Sequence, residues 1–155
     1  MRDPVTAYVG LGANLGLAAQ AVSDALALLG TLPLTTLVRR SSLYRTAPLG
    51  AGGPDYINAV AEIATRLTAP ELLAQLQRLE QQAGRERPYP NAPRTLDLDL
   101  LLFGHARIDS PSLQVPHPRL RERAFVLVPL AEIAPHLVTR GELQAVAGQV
   151  LTRLS

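Results

Sequence analysis

Between Leu96 and Leu100 apolar and acidic residues alternate, Leu-Asp-Leu-Asp-Leu, before the chain runs on into Leu-Leu-Phe. A period of two fits a strand with one face on a core. It does not fit a helix, whose apolar stripe recurs every three to four residues. Side chains at i and i+2 of a strand share a face, so Asp97 and Asp99 project together, with Cα atoms about 6.6 Å apart. Carboxylates that close repel each other, and a hard divalent cation is the simplest partner that relieves the repulsion. An edge strand showing Asp to water has the same pattern, so the surroundings decide. The ten residues before Thr95, Arg-Glu-Arg-Pro-Tyr-Pro-Asn-Ala-Pro-Arg, carry three prolines and preclude regular structure, which reads as a loop or lid. It delivers Arg94 beside the aspartates. An arginine with two metal ions on a phosphate chain makes a phosphoryl-transfer site.

The cationic residues sharpen this reading. All fifteen are arginine, and the chain has no lysine, which excludes a P-loop kinase. Phosphate binding must then run through guanidinium groups, which grip oxygens in pairs. Net charge is only +2, yet Arg85, Arg87, Arg94, Arg107, Arg119, Arg121 and Arg123 crowd one stretch. That clustering suits a small polyanionic ligand as readily as a nucleic acid. Arg39, Arg66, Arg140 and Arg153 read as ordinary surface residues. Without cysteine, disulfides and thiolate metal sites are out. No apolar run nears the ~20 residues that span a bilayer. Met1-Arg2-Asp3-Pro4 leads directly into a strand-like segment, so a cytoplasmic protein of one domain, residues 1–155, is expected.

Along the chain, Thr6 to Leu11 reads as a first strand, closed by a turn of Gly10, Gly12 and Gly16 around Asn14. A helix over 17–30, a strand near Leu37 to Arg45 and a loop from Ala47 to Asp55 follow. Tyr56 to Arg66 alternates as a strand. Pro70 opens a helix that runs to Gly84 with Leu72, Leu76, Leu79 and Ala83 as its core stripe. After the aspartate strand come a small hairpin around Ser110-Pro111, a helix from Phe125 to Ile133 and a last helix from Glu142 to Leu154. The order β-α-β-β-α-β predicts an α+β ferredoxin-like sandwich with appended C-terminal helices.

Three further blocks join the aspartate strand and the Gly84-Arg85-x-Arg87 motif. They are Tyr44-Arg45-Thr46-Ala47-Pro48-Leu49-Gly50, Pro54-Asp55-Tyr56-Ile57-Asn58-Ala59, and Val115-Pro116-His117-Pro118-Arg119 leading to Arg123-Ala124-Phe125. In this order and spacing they closely resemble the 6-hydroxymethyl-7,8-dihydropterin pyrophosphokinases of folate biosynthesis, from Tyr8 to about Pro135. The resemblance implies the ferredoxin-like core, ATP and the dihydropterin as substrates, and two magnesium ions as cofactor. No nucleic-acid or membrane partner and a monomeric state are expected.

Residue by residue, the resemblance makes Asp97 and Asp99 the magnesium ligands. Gln77, Glu80, Arg85, Arg87, Arg94, Leu100, His117 and Arg123 fall in the ATP-binding set, with Arg85, Arg87 and Arg94 also catalytic. Tyr56 and Phe125 flank the pterin ring, Asn58 meets its polar edge, and Thr46, Ala47 and Leu49 line it from a loop. A flat polar heterocycle is well held by aromatic faces with amides at its rim. The chain has only four tyrosines and two phenylalanines. His117, fixed between two prolines, reads as a phosphate donor, whereas His105 and His136 read as surface. Asn91 stands where many members carry tryptophan, and Pro90 replaces a charged residue. The lid contact is then weaker or supplied by Tyr89. Ala47 replaces a frequent proline, and Ser112 an arginine of some relatives.

Two other classes remain open from the residues alone. A nucleotidyltransferase also uses an Asp-x-Asp strand after a glycine turn, but wants a third acidic residue on a neighbouring strand, for which Glu62 is the sole candidate on the 56–66 strand. An RNA-binding or regulatory module could share the scaffold, although stacking aromatics at the spacing of an RNA-binding sheet are absent.

Overall fold

Strand β1 (Val5–Ala13) lies inside the sheet. The computed structural model describes residues 2–14, 16–47, 54–83 and 96–154, and in it β1 pairs antiparallel with β4 (Tyr56–Thr65) and, on its other side, with β5 (Asp97–Phe103). Two short strands, β2 (Thr35–Arg40) and β3 (Tyr44–Thr46), pair in succession with β4. The last strand, β8 (Leu151–Arg153), adds to β3, so the order is β5-β1-β4-β3-β8 with β2 beside β4. A separate two-stranded ribbon joins β6 (Ile108–Asp109) to β7 (Gln114–Val115) at the expected hairpin.

Period-two alternation sorts the sheet's two faces. Val9, Leu11, Ala59, Ile63, Leu98 and Leu100 pack with Val22, Leu26 and Leu29 of α1 (Ala18–Leu29) and with Leu72, Leu76 and Leu79 of α2 (Ala69–Ala83). On the opposite face Tyr8, Val60 and Leu101 pack with Leu127 and Leu130 of α3 (Ala124–Ile133). Each fully buried leucine contributes about 1.5–3 kcal/mol. Helices thus cover both faces of the sheet.

The register between β1 and β5 shifts at Tyr8/Val9, where Val9 faces Leu100 and Tyr8 faces Leu102. Leu101 is the extra residue of this bulge; alternation sets it on the α3 side with Asp99, and the bulge sets Leu102 on that side as well before Phe103 returns to the other. This explains why alternation stops at Leu100 and three leucines follow one another.

Three expectations need correction. The strand expected over Leu37–Arg45 is two strands. Ser41 breaks it by turning its hydroxyl to accept from the Val60 N–H at 2.9 Å. Gly10 and Gly12 do not close a turn after β1 but lie inside it. The last helix ends early: α4 (Arg140–Ala145) starts on a capping box, Thr139 with Glu142, but the chain then turns and its end joins the sheet. Leu154 N–H donates to the Leu43 carbonyl at 2.8 Å, anchoring that edge. The appended C-terminal part is therefore helix plus strand. The loop expectations for 48–53 and for the stretch 84–95 lie outside the described residues.

Candidate active site

A cleft of about 610 Å³ opens on the α3 side of the sheet, within the range that suits a small-molecule ligand. Its floor follows from strand register. Gly12 is the partner of Asp97 in β5 and of Asn58 in β4, and Gly10 is the partner of Asp99. Asp97 and Asp99 are exposed while Leu98 and Leu100 between and after them are buried, so both carboxylates leave the strand on the cleft side. Glycine opposite each aspartate removes the side chains that would otherwise fill the floor. At Gly12 the need is strict, since a Cβ there would lie 2.8 Å from Asn58 Nδ2.

Asn58 is itself buried, and its Oδ1 accepts from the Thr46 hydroxyl at 3.1 Å. This bond orients the amide at the cleft floor. Tyr56 from β4 and Phe125 from α3 line the same cleft, together with Ala47. Arg123 places its guanidinium carbon 5.2 Å from the Phe125 ring centroid, a cation–π contact that ties the aromatic residue to a cation. Arg119 also lines the cleft, whereas Arg121 turns away to pair with Glu142 at 3.1 Å.

His117 is held by its own backbone, whose N–H donates to the Leu101 carbonyl at 2.9 Å. Its Nδ1 accepts from the Arg119 N–H at 3.1 Å, so the ring proton sits on Nε2. Burial pushes the imidazole below its ordinary value. Asp99 pulls upward, and Arg123 and Arg119 push it further down. The neutral ring is thus a hydrogen-bond donor at Nε2 beside Asp99 and two arginines.

The structure brings Thr46, Ala47, Tyr56, Asn58, Asp97, Asp99, Arg123 and Phe125 onto one cleft. Gln77, Glu80 and Leu100 lie elsewhere. Leu100 is buried in the core on the α1 and α2 side, so its side chain cannot meet a ligand in the cleft. Gln77 is exposed on α2, and Glu80 of α2 accepts from the Leu98 N–H at 2.8 Å. Leu49, Arg85, Arg87 and Arg94 lie outside the described residues. His105 and His136 are exposed, as expected. Sequence reading did not single out Gly148, Gln149 and Val150, which close one wall of the cleft. Their proximity depends on β8 returning to the sheet, and no local pattern announces that.

The donor set suits magnesium. Two carboxylates on a strand face, with open space opposite, give hard oxygen ligands. Magnesium commonly binds through one or two carboxylates, with substrate phosphates and water completing its shell. Among the described residues no group of three or more His, Cys, Asp or Glu side chains could hold a metal. Glu62 is engaged elsewhere, accepting from the Tyr8 hydroxyl at 3.1 Å.

An antiparallel sheet covered by helices, with paired carboxylates, cations and aromatic residues meeting in one cleft, defines a phosphoryl-transfer class of α+β protein. The comparisons with known proteins narrow the class. The family model for 7,8-dihydro-6-hydroxymethylpterin-pyrophosphokinase (HPPK) matches residues 8–135. The 2-amino-4-hydroxy-6-hydroxymethyldihydropteridine pyrophosphokinase of Haemophilus influenzae is 46% identical over 135 residues, covering 86% of this chain and 84% of that relative. The protein of the same name from Pseudomonas aeruginosa is 47% identical over 131 residues, covering 84% and 81%. Among solved structures, a triple mutant of Plasmodium falciparum HPPK-DHPS with SDX-DHP superposes with a TM-score of 0.61 at 14% identity. That likeness concerns the fold alone; it covers 83% of this chain, which spans 40% of the Plasmodium one. The chain belongs to the HPPK family.

Proposed function

We propose that this protein transfers a diphosphate group from ATP to the hydroxymethyl oxygen of 6-hydroxymethyl-7,8-dihydropterin, in folate biosynthesis, and releases AMP. The observation that carries the reading is one cleft lined by Asp97 and Asp99 of β5 on one side of β1, by Tyr56 and Asn58 of β4 on the other, and by Phe125 of α3. The aromatic lining suits a flat heterocycle whose polar edge needs amide and hydroxyl partners, which Asn58 and Thr46 provide.

In the reaction, the hydroxymethyl oxygen forms a bond to the β-phosphorus, and the bond from that phosphorus to the α–β bridging oxygen breaks. The hydroxyl proton passes to solvent, and AMP leaves. Arg119 and Arg123 hold phosphate oxygens, and His117 donates to one from Nε2. Such groups act by positioning and charge stabilisation, which dominate phosphoryl chemistry. Asp97 and Asp99 would hold magnesium, two ions in our reading, which when bound offsets phosphate charge. Arg85, Arg87 and Arg94 are proposed as lid and strand arginines on the strength of the sequence motifs alone.

The strand order and all-antiparallel pairing support a ferredoxin-like core in a single domain, with α3, α4 and β8 as additions. We place the enzyme in the cytoplasm, where ATP is abundant, as a monomer without nucleic-acid partners. No helix among the described residues is long and apolar enough to cross a membrane. The nucleotidyltransferase alternative is disfavoured by Glu62, which Tyr8 holds away from the paired aspartates.

The product distinguishes these chemistries. With a label on the γ-phosphate of ATP, magnesium and the dihydropterin, label should enter a pterin diphosphate with an equal amount of AMP formed. ADP would mean an ordinary kinase, and free pyrophosphate a nucleotidyltransferase. Either result overturns the assignment.

A further inference from the structure

The backbone around Arg123 is gripped from a part of the chain that the family match does not reach. Gln149 Oε1 accepts from the Ala124 N–H at 2.9 Å, and its Nε2 donates to the Glu122 carbonyl at 2.9 Å. One side-chain amide therefore spans the peptide groups on both sides of Arg123. The match to the family model ends at residue 135, well before Gln149.

Arg123 is the N-cap of α3, and no side chain of its own caps that end. The first N–H groups of a helix have no intrahelical partner, so Ala124 needs an outside acceptor. Gln149 supplies it. The residue is placed there because the turn after α4 closes with the Gln149 N–H donating to the Val146 carbonyl at 2.9 Å, just before β8 enters the sheet. Gly148, Gln149 and Val150 then form a wall of the cleft beside Ala124 and Phe125.

Resting on the functional reading above, we infer that Gln149 is a positioning residue, holding Arg123 toward the phosphates and Phe125 toward the heterocycle. The cation–π contact between these two side chains couples their placement. Without the amide, the Ala124 N–H and the Glu122 carbonyl both lose a partner, and the segment that carries Arg123 can shift. A displacement of this kind lowers transition-state binding without removing any group that touches substrate.

The test is a double-mutant cycle with Gln149→Ala and Arg123→Ala. Gln149→Ala should lower kcat/KM for diphosphate transfer about tenfold, the size of losing one or two modest hydrogen bonds. In the Arg123→Ala background the same change should cost about threefold or less, because one of the two side chains it positions, and the contact between them, is gone. Gln149→Met, of similar length but without hydrogen-bonding groups, should behave as Gln149→Ala and keep the packing. The affinity for a non-hydrolysable ATP analogue, measured by calorimetry across the same four proteins, should show the same non-additivity without any turnover. An unchanged Gln149→Ala protein, or equal losses in both backgrounds, would overturn the inference. So would loss of the fold in both Gln149 variants, which makes the residue structural. Failure of the wild-type chain to make the pterin diphosphate would count against the functional reading instead, and the calorimetric cycle would still decide the role of Gln149.

Discussion

Glu80 of α2 reaches the aspartate strand through its Oε2, which accepts from the Leu98 N–H at 2.8 Å. Leu98 lies between Asp97 and Asp99, and β5 is an edge strand of the sheet. Alternate N–H groups of an edge strand point away from the sheet and invite pairing with other chains. Here a carboxylate takes one of them, and a charge-assisted bond of this kind holds its strand more firmly than a neutral one. The residue that the family motif associates with the nucleotide therefore also steadies the segment carrying both metal-ligand candidates.

Glu80→Ala should destabilise the protein by about 1–3 kcal/mol, since it strands a polar backbone group. Glu80→Gln keeps an acceptor and should cost less. Chemical denaturation gives the two free energies, and hydrogen exchange at the Leu98 amide should quicken in Glu80→Ala alone. Protection of that amide in Glu80→Ala equal to wild type would contradict the anchoring role.

Asp97→Ala and Asp99→Ala should each abolish most activity while leaving the circular dichroism spectrum unchanged. In the proposed role each aspartate supplies a hard oxygen ligand to magnesium, and losing one is worth several kcal/mol in the transition state, more than a hundredfold in rate. Both side chains are exposed, so core packing loses nothing. Near-normal turnover in either variant would refute the metal-ligand assignment.

Much of this site is legible because its pattern is local. Asp97 and Asp99 are paired by strand periodicity alone, and helix α2 announces itself through Pro70 and the spacing of Leu72, Leu76 and Leu79. Other features depend on contacts distant in sequence. The residues after Ala145 look helical until β8 is seen to pair with β3, whose other side is taken by β4. Ser41 looks like any strand residue until Val60 is seen to use its hydroxyl. Gly10 and Gly12 look like turn residues because glycine usually is one, whereas here the cleft floor requires the absence of a side chain. Gln149 carries no local signal at all, since its meaning lies in the carbonyl and amide it spans.

Stability at acid pH should depend on Glu132. Burial raises its affinity for a proton, but donation from the Tyr44 hydroxyl, from the Ser42 N–H and hydroxyl, and the charge of Arg153 outweigh this and bring its value below the ordinary one. The folded state thus holds the proton less tightly than the unfolded chain. The associated stability is present above the unfolded value of about 4.5 and is lost as pH falls through the lower folded value. Tyr44, which donates to Glu132 at 2.7 Å, is pushed up to about 12, first by burial and then by this bond. Glu132→Gln should therefore lower Tm at neutral pH and flatten its fall between about pH 5 and 3. Parallel Tm–pH curves for variant and wild type would show that the carboxylate plays no such part.

Gly12→Ala separates the two substrates of the cleft. The added methyl would meet Asn58 Nδ2 at 2.8 Å, so the amide must move. Asn58 is buried and bonded to Thr46, and its displacement breaks that bond and shifts the polar rim of the heterocycle site. Asp97, also opposite Gly12, leaves from the neighbouring strand and is not among the atoms that the methyl would meet. The expected result is a rise in KM for the dihydropterin of about tenfold or more, with KM for ATP changed less than threefold. Overpacking of this kind costs about 1–3 kcal/mol. Steady-state kinetics with each substrate varied in turn measures the split. Equal effects on both substrates would mean that the methyl disturbs the sheet as a whole, and would detach Asn58 from the heterocycle site.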